Sequence, residues 1–379
     1  MNAAGGRDVK LLSDTRDAFR DWEHVPSILR AAGHDVSSPV ATIAITTFRR
    51  LETLTEAVAS AMAQRFDRTF EIVVVDNDPE SSGPKDLLAR LPELSLRNFR
   101  YFVNTENLGM FGNFNRAIES ARGKWVTILN DDDLLDANYL ELMFQTLDGD
   151  ESVDGLVCHK RFFDQRPGAD QARPGDAAPQ FHSRRINFAS ARRMLFGGKG
   201  SLGRFARHAG RRLQFEYSFR GQVTRRIHPG KLFWGAILGN GAGFIFRRDK
   251  AIELGGFQPE EFPSADYWFF ARFAKRYHLR QHRAVAASVR KAENETAKLE
   301  TVRAAFRNAF ALQKALAGRE VPAWWMRLAP LIMARDRVDF RDQWAAELPR
   351  VEVEKELQIS LPKERPRLLY ALQTVLRGF

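Results

Sequence analysis

Four short segments of almost uninterrupted apolar residues recur in the first third of the chain, and they constrain the fold more than any other feature. They read VATIAIT (40–46), EIVVV (71–75), FRYFV (99–103) and WVTIL (125–129). Apolar residues recur at helical spacing in the intervening segments RRLETLTEAVASAMAQ (49–64) and GNFNRAIESARG (112–123). Strands that are apolar throughout and alternate with helices predict an α/β fold, in which helices cover both faces of a mostly parallel sheet.

Length and composition fit a folded globular protein. The chain has 379 residues, of which 44% are hydrophobic, so it is long enough for one large or two medium domains. No apolar run is long enough to span a membrane, and the N-terminal residues lack the apolar segment of a secretory signal. The single cysteine, Cys158, has no partner for an intramolecular disulfide. These features predict a cytoplasmic location.

Three of the predicted strands end in polar residues. These residues are Thr46-Thr47, Asp76-Asn77 and the run from Asn130 to Asp133. Ligands of open parallel sheets bind at the carboxyl ends of the strands. The sequence therefore predicts a ligand site where these three strand ends meet.

The three consecutive acids Asp131, Asp132 and Asp133 are the most unusual feature of these strand ends. Neighbouring carboxylates repel each other, and the repulsion raises the pKa of at least one unless a cation or hydrogen-bond donors share the site. A hard divalent cation, which takes oxygen ligands, is one explanation. The other is helix capping, with Asp133 and Asp136 at the start of the next predicted helix.

Two further stretches have both a ligand-binding and a purely structural interpretation. Asp76 is placed to accept hydrogen bonds from a ribose or a base, but an acid in the stretch DNDPE also forms turns. The glycine-rich GNGAG (239–243) does not have the spacing of a phosphate-binding loop. It predicts either close approach of a ligand to the backbone or a tight turn.

A basic segment accounts for the charge of the chain. Residues 181–230 contain eleven arginines and one lysine against one acid, which equals the whole formal net charge of +11. Apolar and aromatic residues are interleaved with these arginines, a pattern typical of segments that bind anionic membranes. The pattern predicts that residues 184–226 can bind an anionic membrane surface. The segment is also suited to a phosphate-bearing substrate or to a solvated helical surface. Nucleic acid is disfavoured because no recognition fold is visible.

The order of motifs resembles family 2 glycosyltransferases with the GT-A fold, of the type found in bacterial polysaccharide and glycan biosynthesis. The resemblance extends over residues 39–296. The matching motifs are TIAITTFRR, EIVVVDND, NTENLGMFGNFNRAIESARGKWVTILNDDDLL, GAGFIFRR, LGGF and SADYWFFAR. It implies a nucleotide-sugar-binding half at residues 39–150 and an acceptor-binding half at 151–298 that contains a basic insertion at 160–230. An N-terminal extension (1–38), with a short helix expected within 14–32, and a C-terminal helical region (299–379) flank them.

The resemblance also implies roles for individual residues. Asp266 in SADYW takes the position of the general base, and Asp132 that of the metal ligand for Mg²⁺ or Mn²⁺. The implied nucleotide-sugar contacts are Thr46, Thr47, Arg49, Asp76, Asn107, Gly109, Asn113, Asn130 and Asp131. Trp234, Asn240 and Gly241 are candidates for the acceptor side.

The implied reaction moves a sugar from a nucleoside diphosphate, with UDP or dTDP favoured, to a glycan or a lipid-linked glycan, with inversion at the anomeric carbon. The predicted location is cytoplasmic, and the basic segment is compatible with peripheral attachment to the inner face of the membrane. Two other functions are compatible with parts of the sequence. A nucleotidyltransferase of related architecture would carry glycine with Arg and Lys directly after the first strand, whereas TTFRRLET has no glycine. A non-catalytic basic protein that binds polyanions would leave the three acids and Asp266 unexplained.

Overall fold

One sheet contains all the strands that the structure describes. The computed structural model describes residues 12–35, 38–164, 222–235, 238–291, 298–329 and 332. The strands are β1 (Ser27–Ala32), β2 (Ala41–Thr47), β3 (Phe70–Asp76), β4 (Phe99–Asn104), β5 (Trp125–Asn130), β6 (Leu134–Leu135), β7 (Gly155–Asp164), β8 (Thr224–Arg226), β9 (Phe244–Arg247) and β10 (Leu279–Lys291). Their order is β1-β4-β3-β2-β5-β9-β7-β10-β6, and β8 also pairs with β10.

Seven α-helices occur in the described part of the chain, together with short 3-10 helices. The α-helices are α1 (Leu51–Met62), α2 (Gly83–Arg90), α3 (Gly109–Ser120), α4 (Tyr139–Leu147), α5 (Arg248–Glu253), α6 (Ala265–Arg276) and α7 (Leu299–Leu316). The 3-10 helices are Ala18–Trp22, Pro92–Leu96, Pro229–Trp234, Pro259–Glu261 and Ala323–Arg327. The predicted alternation of strands and helices over the first third of the chain is confirmed.

The sheet is parallel where the sequence predicts it. β2 pairs in parallel with both β3 and β5, and β3 pairs in parallel with β4. Further along the sheet β9 lies antiparallel between β5 and β7, and β7 and β10 form another parallel pair. The α/β prediction is therefore confirmed, with the addition that an antiparallel strand joins the two parallel groups.

Burial on both faces explains why the central strands are apolar throughout. Along β2, Ile43 and Ile45 pack into one core layer with Leu54 of α1, whereas Ala44 packs into the other layer with Phe114 of α3. All of these side chains are buried. Burial of one large apolar side chain contributes about 1.5–3 kcal/mol, so a strand covered by helices on both faces gains from apolar residues at successive positions.

The N-terminal segment differs from the prediction. The helix expected within residues 14–32 is only the short 3-10 helix Ala18–Trp22, and β1 follows it as an antiparallel partner of β4 at the edge of the sheet. All six residues of β1 are exposed or partly exposed, so β1 is not a buried strand like those that the sequence predicted. Arg116 anchors the segment through hydrogen bonds to the carbonyl oxygens of Trp22 and Val25, both at 2.8 Å. Part of the predicted extension thus belongs to the sheet.

Two other predicted segments lie largely outside the described residues. They are the basic segment 184–226, of which only residues 222–226 are described, and the region after residue 332. The helix α7 begins the predicted C-terminal helical region. Within the described residues, no helix combines the length and the apolar character that crossing a membrane requires.

A buried ion pair ties the central strands together at the end opposite to the predicted ligand site. The Glu71 carboxylate is fully buried and accepts hydrogen bonds from the Arg100 guanidinium at 2.7 and 3.2 Å. It also accepts from the Thr42 hydroxyl and the Arg122 backbone N–H, both at 2.6 Å. Because these donors belong to β2, β4 and the segment before β5, Glu71 fixes the register of neighbouring strands.

We expect Glu71→Ala to lower the free energy of unfolding by about 3–5 kcal/mol, because it leaves the Arg100 charge buried without its partner. The double variant Glu71→Leu/Arg100→Met should lose less, since both charges are removed together. Urea denaturation of the three proteins measures the difference. Glu52→Ala is the control, because Glu52 pairs with Arg90 at the surface. A loss for Glu71→Ala as small as that of the control would contradict the role of Glu71.

Candidate active site

The strand ends that the sequence singled out lie side by side. In the parallel register, Thr47 at the end of β2 is level with Asp76 at the end of β3, and Thr46 is level with Asn130 at the end of β5. All three strands run in the same direction, so their terminal polar residues face the same edge of the sheet. The loop that carries the three consecutive acids begins at this edge, directly after Asn130.

Asp131 connects the acidic loop to the end of β2. Its carboxylate is 5% exposed and accepts a hydrogen bond from the Thr47 hydroxyl at 2.7 Å and from the Phe48 backbone N–H at 3.4 Å. The Arg50 guanidinium approaches its other oxygen at 3.4 Å. Burial raises the pKa of Asp131 to about 6, although Thr47 and Arg50 act in the opposite direction. Thr47 therefore helps to position an acid as well as facing the ligand edge.

Asp132 shares the same arginine. The Nη1 atom of Arg50 lies 3.1 Å from the Asp132 carboxylate, whose side chain is 14% exposed. The sequence placed Arg49 at this site and missed Arg50. In the structure Arg49 is directed to the next loop, where its Nε donates to Asp78 at 2.7 Å. Adjacent arginines point to different loops here, and sequence reasoning had no signal that separates the two.

Asp133 connects the acidic loop to the second half of the chain. It is 1% exposed and accepts hydrogen bonds from three donors: Asn130 Nδ2 at 3.1 Å, Asn240 Nδ2 at 3.1 Å and the Arg290 backbone N–H at 3.2 Å. Burial, followed by repulsion from Asp132, raises the pKa of Asp133 to about 7.

The acids do not cap the helix that follows them. The N-terminal cap of α4 is Asn138, which makes no side-chain capping hydrogen bond. Asp136 instead forms a bidentate pair with Arg161 at 2.6 and 2.7 Å. The capping interpretation of Asp133 and Asp136 is therefore wrong, and it does not explain the three acids.

Asp76 is enclosed by donors from its own neighbourhood. It is 2% exposed and accepts hydrogen bonds from the Tyr101 hydroxyl at 2.7 Å, the Asp78 backbone N–H at 3.0 Å and the Ser81 hydroxyl. Burial raises its pKa despite these hydrogen bonds. The residue lies at the predicted strand end, and in this structure its oxygens organise the turn after β3.

A network of asparagines shapes the loop between β4 and α3. The amide of Asn77 donates to the side chain of Asn107 at 2.7 Å, and Asn113 donates to the carbonyl of Val75 at 3.1 Å. Asn107 also accepts from the backbone N–H of Gly109, which has a φ of 69° and open space around it. The predicted residues Asn107, Gly109 and Asn113 are thus brought together, with the two asparagines holding the loop and Gly109 leaving its surface open.

Asp266 lies in the first turn of α6 and is mostly buried. It accepts a hydrogen bond from the Tyr267 backbone N–H at 2.7 Å. Burial raises the pKa of Asp266 to about 6, although the positive charge of Lys160 lowers it. A carboxylate with such a pKa is largely ionised at pH 7 and still basic enough to accept a proton.

Lys160 binds the same asparagine as Asp133, and sequence reasoning missed it. Its ammonium group donates to the backbone carbonyl of Asn240 and to the Asn240 side chain at 3.2 Å. Burial lowers the pKa of Lys160 to about 8, while attraction to Asp133 and Asp266 acts in the opposite direction. One cation thus interacts with acids from both halves of the chain.

The three acceptor-side candidates have different surroundings. Asn240 contacts Asp133 and Lys160, whereas a side chain at Gly241 would meet no heavy atom within 4 Å. Trp234 is 3% exposed, and its ring lies 4.9 Å from that of Trp325. Because Trp234 belongs to the core, it does not face an acceptor in this structure. Asn240 and Gly241 remain candidates, with Gly241 at an open surface.

The oxygen atoms of Asp131 and Asp132 suit a hard divalent cation, but they do not form a complete metal site. The described part of the chain contains no group of three His, Cys, Asp or Glu side chains that could hold a metal. Mg²⁺ and related cations commonly take one or two carboxylates from the protein and the remaining ligands from phosphate oxygens and water. The residues present therefore fit a cation that binds together with a diphosphate.

Comparison with known proteins connects this geometry to a family. The model described as glycosyl transferase family 2 matches residues 42–212. Succinoglycan biosynthesis protein ExoO of Rhizobium meliloti is 31% identical over 29% of this chain and 30% of that protein. The GalNAc(5)-diNAcBac-PP-undecaprenol beta-1,3-glucosyltransferase of Campylobacter jejuni is 33% identical over 28% of this chain and 34% of that protein. The alignments with these curated relatives cover about a third of their length.

A solved structure has the same fold. Residues 1–349 of TarS from S. aureus in complex with UDP-GlcNAc align with 84% of this chain and 78% of that chain, at a TM-score of 0.50 and 14% sequence identity. At this identity the likeness concerns the fold alone, and it confirms the GT-A architecture. Residues 42–212 of the chain are thus similar to glycosyl transferase family 2, and the fold is that of GT-A enzymes.

Proposed function

We propose that the protein transfers a sugar from a nucleoside diphosphate, preferably UDP or dTDP, to a glycan or lipid-linked glycan, with inversion at the anomeric carbon. Asp266 acts as the general base. The donor lies at the carboxyl ends of β2, β3 and β5, in contact with the residues that the sequence predicted there. The acceptor approaches from the side of Asn240 and Gly241.

The contacts of Asn240 support the proposal most directly, because they link the acidic loop to Lys160, whose charge acts on the candidate base. Asp133 accepts from Asn240, Asn240 accepts from Lys160, and Lys160 interacts electrostatically with Asp266. A transferase must hold donor and acceptor against each other, and the contacts of Asn240 with Asp133 and Lys160 join the donor side to the side from which the acceptor approaches. Placing two reactants in a defined geometry can supply a large part of a rate enhancement.

The chemistry follows from these positions. The acceptor oxygen attacks the anomeric carbon, its proton passes to the Asp266 carboxylate, and the bond from the anomeric carbon to the diphosphate oxygen breaks. The electron pair of that bond leaves with the nucleoside diphosphate. Asp266 must be ionised to accept the proton, and Lys160 favours the ionised form.

We assign Asp132 as the protein ligand of a divalent cation, Mg²⁺ or Mn²⁺. The cation supplies charge neutralisation of the leaving diphosphate. The carboxylate of Asp132 lies at the ligand edge and is partly exposed, which supports this assignment. Asp131, which accepts a hydrogen bond from Thr47, and Asn130, which donates one to Asp133, are assigned to the nucleotide-sugar.

The comparisons support the choice of donor and acceptor. The Campylobacter relative is named for a lipid-linked acceptor, and the Rhizobium relative for polysaccharide biosynthesis. The structural neighbour holds UDP-GlcNAc, so UDP is the first nucleotide to test. Phe48, which precedes Arg49 and is 41% exposed, offers an aromatic surface for a nucleobase beside the end of β2.

We expect Asp266→Asn to reduce turnover by about two to four orders of magnitude while UDP binding stays within about twofold, because the change removes the proton acceptor and keeps the shape. The measurement is nucleotide release from a panel of UDP- and dTDP-sugars, with UDP binding measured by calorimetry. Asp249→Asn, which changes a surface acid of α5, is the matched control. Near-normal turnover of Asp266→Asn would exclude Asp266 as the base.

The pH dependence tests the environment of Asp266. We expect kcat/KM to be high above pH 6 and to fall as the pH drops through about 6, because protonation of Asp266 removes the base. An ordinary Asp would give this decline near pH 4. Lys160→Met should move the decline to higher pH, since the lost cation no longer favours the ionised carboxylate. An unchanged profile in Lys160→Met would show that Lys160 does not act on the base.

We further propose that the basic segment 184–226 attaches the protein to an anionic membrane surface, where a lipid-linked acceptor is located. The proposal rests on its arginine content, since residues 184–221 lie outside the described residues. We expect the protein to float with vesicles of anionic lipid at low salt and to be released at high salt, because salt screens the attraction. Neutral vesicles are the control. Failure to bind anionic vesicles at low salt would exclude this attachment.

A further inference from the structure

Arg50 places a positive charge at the ligand edge of the sheet, where β2, β3 and β5 end. It immediately precedes α1, and its guanidinium lies 3.4 Å from Asp131 and 3.1 Å from Asp132. Both distances involve the same nitrogen, Nη1, so one positive group serves two adjacent carboxylates. Without it the two acids would repel each other at a site that is largely shielded from water.

The side chain of Arg50 is held only loosely. Its side chain is 41% exposed, and within the described residues its hydrogen bonds are with the two carboxylates. Arg290, the other guanidinium near the acidic loop, is 3% exposed. Arg290 donates to the Asp132 carbonyl at 3.0 Å, pairs with Glu56 and lies over the Phe163 ring at 4.8 Å. Arg50 can therefore leave the acids without disturbing the core, whereas Arg290 is fixed.

A divalent cation and Arg50 compete for the same oxygen atoms. The contact of Arg50 with Asp132 uses the carboxylate that the proposed function assigns as metal ligand. A second positive charge beside the guanidinium would be repelled, and the described residues offer no third acidic or histidine ligand that would offset this. A bound diphosphate removes this competition, because its negatively charged oxygens can bind both the divalent cation and the arginine.

We propose that Arg50 occupies the place of the divalent cation in the donor-free protein and moves to the diphosphate when the donor binds. Metal binding is then conditional on the nucleotide, and free metal does not occupy the site first. The step from carboxylates to diphosphate rests on the proposed function. The exclusion of metal from the donor-free site rests on the Arg50 contacts alone.

The test measures Mn²⁺ binding without any nucleotide, from the electron paramagnetic resonance signal of free Mn²⁺. We expect Arg50→Gln to bind Mn²⁺ at least about tenfold more tightly than the wild type, because the competing charge is gone. Adding Asp132→Asn to Arg50→Gln should abolish this binding. Arg68→Ala is the matched control, since Arg68 pairs with Asp148 away from the ligand edge. Thermal unfolding of each variant checks that it is folded.

Equal Mn²⁺ affinity of the wild type and Arg50→Gln would overturn the proposal, and so would Mn²⁺ binding that survives Asp132→Asn. A second titration adds UDP. The wild type should gain at least about tenfold in Mn²⁺ affinity from UDP, and Arg50→Gln should gain less, because its site is already open to metal. A wild type that binds no UDP in either condition would contradict the proposed function instead. The nucleotide-free comparison distinguishes the two failures.

Discussion

Three consecutive carboxylates can stay together in a folded protein only when hydrogen-bond donors or positive charges offset their mutual repulsion. Asp131 is satisfied by Thr47 and Arg50, Asp132 by Arg50, and Asp133 by Asn130, Asn240 and the backbone of Arg290. These partners come from separate parts of the chain. The requirement to balance charge at one loop therefore brings the loop after β2, the segment before β9 and the end of β10 to the same place.

This arrangement separates two tasks that the sequence presents as one motif. Asp133 is fully enclosed and binds the second half of the chain to the first, while Asp132 remains partly exposed at the ligand edge. Asp131 is intermediate in exposure, and its hydrogen bond with Thr47 connects the acidic loop to the end of β2. Successive residues in a loop project in different directions, so three identical side chains meet three different environments.

The sequence predicts features that depend on local patterns. Apolar runs such as that of β2 indicate buried strands, and parallel pairing then places Thr47, Asp76 and Asn130 at one edge without further information. Contacts between distant segments have no such signal. Lys160 is one of several basic residues in HKRFF, and only the fold brings it to Asn240. Trp234 resembles a sugar-binding aromatic in the sequence, and only tertiary packing against Trp325 identifies it as a core residue.

Because of the edge strand β1, the sheet begins before the region that is similar to the family. Family similarity begins at residue 42, after the hydrophobic start of β2, whereas the sheet itself begins at Ser27. A chain trimmed to the similar region would expose the backbone N–H and C=O groups of β4 that β1 now pairs. Open strand edges attract strands of other molecules. The region similar to the family is thus shorter than the sheet, and a chain that began at residue 42 would lack the strand that pairs with β4.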